Sequence, residues 1–289
     1  MTQIIVTGIL LSGTYALIAL GLTLQYGVAR IMNLANGETL VAGCFIAMWL
    51  FTTLTINPIV GLLLIAPAAF AANWAVYRVA LEPLVNRARN RGQLEVDSIL
   101  ATFGLLFLFQ GMMLLTFGGE YFNYTFLAER FDIFGSGFGL NRVVAFVAAV
   151  VIAAGLYIFL YHTRYGTAMR AVAADPKSAN LVAIDVARTA AIAFALGGAL
   201  TACGGALLST FYTFNASMGV TFTMKALIIV IMGGVGDVRG AVLAAIILGV
   251  AETAVASLID PSLTLAATYT LFIVVLLFRP QGIFGRPTS

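Results

Sequence analysis

The sequence predicts an all-α polytopic membrane protein with eight or nine transmembrane segments, one of them short or discontinuous. Three observations carry that prediction. Of the 289 residues, 61% are hydrophobic and 9% charged, against about 25% charged in an ordinary soluble domain. With 12 acidic and 15 basic side chains, a water-exposed surface could not be built without large apolar patches, so the solvent is lipid. Mean hydropathy is +1.03, and the apolar residues gather in runs close to the roughly 20 that cross a bilayer as a helix.

The runs follow in order. Ile4 to Tyr26 lacks a basic flank and a small-residue cleavage site, so it reads as a retained span rather than a signal peptide. Thr39 to Leu54, Ile59 to Tyr77 and Ile99 to Phe117 come next, the last two separated by a basic, polar connection from Arg78 to Asp97. An aromatic, glycine-rich connection from Gly118 to Asn141 precedes Val143 to Tyr161. The mixed loop 162–188 precedes Ala190 to Phe211. Phe222 to Gly234 is short and ends in glycines, which reads as a broken or re-entrant helix as readily as a full crossing. Ala241 to Ile259 and Leu263 to Phe278 complete the set. Residues 1–289 thus read as one transmembrane domain, with 162–188 a cytoplasmic loop within it.

Lys and Arg set the orientation, because short cytoplasmic loops collect them. Arg30, Arg78, Arg87, Arg89, Arg91, Arg164, Arg170, Lys177, Arg188, Arg239, Arg279 and Arg286 fall on one face, leaving Arg130, Arg142 and Lys225 for the other. The amino terminus is therefore expected outside and the carboxyl terminus inside, which needs an odd number of crossings. Net charge is +3, and no nucleic-acid partner is expected.

The composition excludes several chemistries. Cys44 and Cys203 lie in apolar runs and His162 is the one histidine, so neither a metal site nor a serine–histidine triad is indicated. The stretch Gly233 to Gly240 lacks the Gly-Lys-Ser/Thr ending of a phosphate loop, and Arg239 stands where a dinucleotide fingerprint needs its third glycine. Gly234 to Asp237 matches the Gly-x-Gly-Asp pattern of intramembrane aspartyl proteases, but those need a second carboxylate, and Asp185 and Asp260 lie at membrane edges. The bland reading of the stretch is a solvated turn carrying Asp237 and Arg239; the other is a broken helix lining a pathway.

Small residues mark helix interfaces at Gly197, Gly198, Gly204 and Gly205, and Gly236 with Gly240 as GxxxG. Ile31 to Glu38 and Ile231 to Asp237 each interrupt an apolar run with Met, a turn-forming polar patch and an acidic residue, the pattern of an internal repeat. In the loop 162–188, Asp175 suits an N-cap and Pro176 the first helical position. A short exposed helix from Pro176 to about Val182 is expected, either as a docking element or as an interfacial helix with Arg170 and Lys177 near lipid phosphates.

Polar groups at or inside spans are the remaining candidates. Glu252 admits two roles: meeting a substrate ammonium group, or hydrogen-bonding a neighbouring helix in its protonated form. Asn33 and Glu38 flank the break Asn-Leu-Ala-Asn-Gly, where free backbone groups can bind a charged ligand. Gln110 and Asn73 read as interhelical hydrogen bonds. Tyr121, Phe122, Tyr124, Phe126, Phe131, Phe134 and Phe138 suggest an interfacial belt or a contact with a binding protein.

The runs GTYALIALGLTLQYG from Gly13 to Gly27, NLANGE from Asn33 to Glu38, RYGTAMRAVAADPK from Arg164 to Lys177, GGVG from Gly233 to Gly236 and LFRPQG from Leu277 to Gly282 closely resemble the LivH-type permeases of branched-chain amino acid ABC importers. They do so in order along nearly the whole chain. The resemblance implies an ABC importer permease fold in the bacterial inner membrane, a second LivM-type permease, two cytoplasmic ATPases carrying ATP and Mg, and a periplasmic binding protein. It implies no cofactor on this chain and no catalysis by it. Arg164, Gly166, Arg170, Asp175, Pro176, Lys177, Ser178 and Leu181 then form the coupling element toward the ATPases. Asn33, Asn36, Glu38, Glu252, Gly233, Gly234 and Gly236 are the residues expected along the substrate path. The chain departs from the family pattern at Asn36, usually His, at Ala183, often Gly, and at Asp237, commonly Ser. Import of urea, amides or small organic acids by the same architecture is the alternative, as is a self-sufficient secondary transporter.

Overall fold

The computed structural model describes residues 2–88, 90–127, 129–133, 136–279 and 281–284. Its helices are α1 (Thr2–Gly27), α2 (Asn36–Leu54), α3 (Pro58–Val76), α4 (Glu82–Arg87), α5 (Arg91–Phe117), α6 (Leu140–His162), α7 (Arg164–Ala174), α8 (Pro176–Leu181), α9 (Val186–Leu208), α10 (Gly219–Gly233), α11 (Val238–Leu258) and α12 (Thr264–Phe278). Eight stretches are long and apolar enough to cross a membrane, and α10 is a shorter apolar helix. Every expected span has its helix.

The connection from Arg78 to Asp97 is not a loop. A π-helical turn, Tyr77–Leu81, joins α3 to α4, and Arg78 pairs with Glu82 one turn on at 2.7 Å, which favours continued helix. Asn90 then caps α5, its side chain accepting from Gln93 N–H at 2.8 Å, so α5 starts well before its apolar run. The connection from Gly118 to Asn141 carries an antiparallel hairpin, β1 (Arg130–Ile133) with β2 (Ser136–Gly139). Its aromatic residues divide. Tyr121 is exposed and Phe126 buried. Phe122 exchanges backbone hydrogen bonds with Phe214 and packs edge-on to Phe45, while Tyr124 and Phe126 pack on Phe51. These three roof the bundle through ring contacts to Phe45 and Phe51 of α2 instead of forming a lipid belt. Arg89, Phe134 and Arg286 lie outside the described residues, as do the side chains of Arg91, Arg130, Phe131 and Phe138.

α1 and α9 form the centre. They cross where Gly21 and Gly197 meet: a β-carbon on either would run into the other's carbonyl oxygen. Gly43 lies as closely on Ala202, and Gly205 on Leu40, so α2 seats directly on α9. Without a hydrophobic force between helices in lipid, such backbone proximity supplies the packing. Gly240 meets Gly233 rather than Gly236. Asn73 hydrogen-bonds the Ala69 carbonyl of its own helix and packs on Gly198, so it is not an interhelical bond. Cys44 and Cys203 are free and buried.

An internal repeat exists, but with a different partner from the one expected. Asn33-Leu-Ala-Asn-Gly-Glu-Thr39 corresponds to Asn215-Ala-Ser-Met-Gly-Val-Thr221. In both, the Asn side chain accepts from the N–H two residues on, Ala35 at 3.0 Å and Ser217 at 3.2 Å. In both, the Asn carbonyl accepts from the N–H three residues on, each at 3.4 Å. The same shift along the chain relates α1 to α9, α2 to α10 and α3 to α11, with α5 matched by α12. Each pair runs antiparallel. The packing repeats as well: α1 on α11 as α9 on α3, and α2 on α9 as α10 on α1. This is an inverted-topology repeat, joined through α6, α7 and α8. Ile231 to Asp237 is instead the turn between α10 and α11.

Candidate functional site

α2 and α10 each follow a non-helical segment, 28–35 and 209–218, and their amino ends meet inside the bundle. Gly37 lies against Gly219, Gly37 N–H donates to Thr223 Oγ1 at 2.8 Å, and that hydroxyl donates to the Leu34 carbonyl at 3.1 Å. Irregular backbone at this depth must be satisfied by protein. Thr102 on α5 does this for the first segment, accepting from Leu34 N–H at 3.2 Å and donating to the Met32 carbonyl at 3.0 Å. Paired bonds between Phe122 and Phe214 do it for the second. Neither Ala35 before α2 nor Met218 before α10 supplies a side-chain cap.

The polar residues here are nearly all buried. Asn33 donates to Gln25 Oε1 at 3.0 Å, and Gln25 donates to the Phe194 carbonyl at 3.2 Å. Asn36 accepts from Thr201 at 3.0 Å, while its Nδ2 and both oxygens of Glu38 have no partner among the described residues. The structure thus brings Asn33, Asn36 and Glu38 together. Gly233, Gly234 and Gly236 lie elsewhere, beyond the full length of α10, about 22 Å at 1.5 Å per residue. Gly234 and Gly236 take left-handed φ of 103° and 82° in the turn, and Asp237 caps α11 by accepting from Gly240 N–H at 2.8 Å.

Glu252 hydrogen-bonds neighbouring helices, the second of its two expected roles, as an acceptor. Lys225 donates to its Oε1 at 2.5 Å and to Tyr15 Oη at 2.9 Å, and Tyr15 donates to Glu252 Oε2 at 2.9 Å. Lys225 is 5% exposed, so it belongs to the interior and not to the outer face. The triad ties α10 to α1 and α11. Sequence reasoning missed Tyr15 and Lys225, although a lysine inside an apolar run is itself a signal that a buried counter-charge exists.

At the basic end, α7 and α8 stand between α6 and α9. Thr163 caps α7 by accepting from Gly166 N–H at 3.1 Å. Gly166 lies on the Phe159 and Leu160 carbonyls, where a β-carbon has no room. Arg170 stacks over the Tyr161 ring at 4.7 Å. Asp175 caps α8, accepting from Lys177 N–H at 3.0 Å and from Ser178 Oγ at 2.5 Å. Those bonds, Ser178 first, hold its carboxyl below the ordinary carboxylate range. Arg164 and Pro176 are the first residues of their helices. Leu181 and Val182 are 87% and 69% exposed, an apolar tip that none of the described residues covers. A polar cavity of about 470 Å³ lies behind α7, lined by Arg30, Arg170, Gly236 and Asp237 among others.

Residues 4–278 match the family described as the branched-chain amino acid transport system / permease component. The high-affinity branched-chain amino acid transport system permease protein LivH of Escherichia coli K12 is 31% identical over 295 residues, covering 97% of this chain and 94% of the relative. The permease protein BraD of Pseudomonas aeruginosa is 34% identical over 302 residues, covering 99% and 96%. A probable branched-chain amino acid transport permease, LivH of Methanocaldococcus jannaschii, is 27% identical over 287 residues, covering 96% and 90%. No solved structure matches. Matched along its length by the family pattern and by relatives above 30% identity, this multi-pass membrane chain belongs to the branched-chain amino acid transport permease family.

Proposed function

We propose that the chain is the transmembrane permease subunit of an ATP-driven importer of branched-chain amino acids. The observation that carries this is the family match over residues 4–278 on a fold in which the amino ends of α2 and α10 meet inside the bundle. The basic end faces the cytoplasm. There α7 and α8 dock on an ATPase through Arg164, Gly166, Arg170, Asp175, Pro176, Lys177, Ser178 and Leu181, and the exposed Leu181 tip enters its groove. Two ATPases hold the ATP and Mg, a second LivM-type permease completes the path, and a periplasmic binding protein delivers the amino acid at the opposite end. Closure of the ATPases moves α8. α7 transmits that motion to Arg30 and to the turn 234–237 across the cavity between them, which shifts α2 and α10 against each other. The path follows the faces carrying Asn33, Asn36 and Glu38, with Gly233, Gly234 and Gly236 flexing at its inner end; Glu252 contributes by holding α10 in place.

The test is reconstitution. Pull-down of this chain from its host membrane is expected to bring a second permease and two P-loop ATPases, and liposomes containing the four are expected to take up leucine only with ATP and binding protein. Leucine uptake by this chain alone, driven by a proton or sodium gradient, would replace the reading with a secondary transporter.

A further inference from the structure

Two glutamates are buried in this bundle, and only one is answered. Glu252 has Lys225 and Tyr15. Glu38 is 1% exposed, and neither of its oxygens has a hydrogen-bond partner among the described residues. Buried charges are paired and buried polar atoms hydrogen-bonded almost without exception, so a carboxylate held bare calls for a reason other than stability.

Its surroundings supply one. The carboxylate lies directly on Gly219, the first residue of the 15-residue helix α10, where a β-carbon would overlap it. Met218 supplies no side-chain cap to that helix, so the first-turn N–H groups of Gly219, Val220 and Thr221 present the positive end of its dipole beside the Glu38 carboxyl. Glycine at both 37 and 219 leaves no side chain between the two helix ends. The chemistry selects the ligand. A simple anion is repelled by Glu38. A simple cation leaves the helix end unmatched, and a neutral molecule such as urea leaves the carboxylate uncompensated. A molecule with an ammonium and a carboxylate on one carbon matches both.

We infer that Glu38 and the amino end of α10 form a mid-membrane site for the zwitterionic head of an α-amino acid, the ammonium on the Glu38 carboxylate and the carboxylate on the α10 N–H groups. This rests on the import function proposed above and adds the point at which the chain itself holds its substrate.

The experiment is Glu38→Gln in the reconstituted importer with its ATPases and binding protein, assayed with radiolabelled leucine. Uptake is expected to fall by about tenfold or more, the scale of losing a charged hydrogen-bond partner. Assembly with the ATPases and the second permease is expected to persist, and the variant's Tm to equal or exceed that of the parent, because an unpartnered buried carboxyl has been removed. Unchanged uptake overturns the inference. So does lost uptake accompanied by a lower Tm, which makes Glu38 a structural residue. Glu38→Asp, keeping the charge at shorter reach, is expected to assemble and to raise the KM for leucine several-fold; an unchanged KM counts against the site. Absence of ATP-driven uptake by the unsubstituted importer overturns the import reading, and this inference with it.

Discussion

Lys225 donates hydrogen bonds to both Glu252 and Tyr15 inside the bundle. The pair itself contributes little net stability, since desolvating two ions offsets most of their attraction, but either partner alone is costly. Lys225→Met is therefore expected to destabilise the purified chain by about 3–5 kcal/mol, and Glu252→Leu combined with it to restore most of that loss. Thermal unfolding of both single variants and the double variant checks this, and additive losses would show that the two charges do not interact. The lysine is visible in the sequence, but its partner lies 27 residues away, and the positive-inside rule assigns Lys225 to the outer face because it counts lysines by face alone. Ala183 offers a smaller test. It sits at φ 59°, where a β-carbon is strained and glycine is not. Ala183→Gly is expected to raise stability by about 1 kcal/mol, seen as a higher Tm; a lower one would mean that loss of the methyl or added chain entropy outweighs the strain.

Among the elements, α8 was the most legible, because its signals are local. Asp175 at the cap and Pro176 after it define the start, and the helix ends at Leu181, one residue from the expectation. The cap also fixes a pH response. Asp175 has a depressed carboxyl in the folded chain, so its contribution is fully present above the ordinary carboxylate pKa and is lost as pH falls through the lower folded value. Hydrogen exchange at Ser178, Ala179 and Asn180 is expected to stay protected relative to Asp175→Ala at neutral pH, and that difference to vanish well below pH 4, near the ordinary aspartate value. Asp175→Ala is also expected to cut transport several-fold while leaving membrane insertion intact, with Asp175→Asn retaining most of it, since asparagine caps nearly as well. Normal coupled uptake in the alanine variant would detach α8 from the ATPases. The passage through 78–97 was less legible: Arg78, Glu82, Arg87 and Glu95 look like a loop by composition, yet an i,i+4 pair and an asparagine cap keep both sides helical.

Across the whole molecule, two halves run in opposite senses and share one polar centre. The motif Asn-x-x-x-Gly-x-Thr at 33–39 and 215–221 was on the page in the sequence, but the glycines after Ile231 are more conspicuous and drew the comparison to a turn. Only the fold shows why the quieter pair matters, since Gly37 and Gly219 must touch. We propose that the same geometry makes nine crossings. The non-helical segment 28–35 enters from the basic end and α2 carries on to the other; 209–218 enters from that other end and α10 carries on to the basic one. Each segment and its helix together make one crossing, so the short α10 completes a ninth, alongside eight longer stretches. Nine crossings put α8 and the turn 259–263 on opposite faces, with α8 among the cations. Cys44 and Cys203 are buried and should stay silent to an impermeant maleimide, so single reporters can be added to the unmodified chain. Ser262→Cys is expected to label in intact cells, and Ser178→Cys only after the membrane is opened. Labelling of both from outside would mean that α10 turns back, and that the two halves are not inverted.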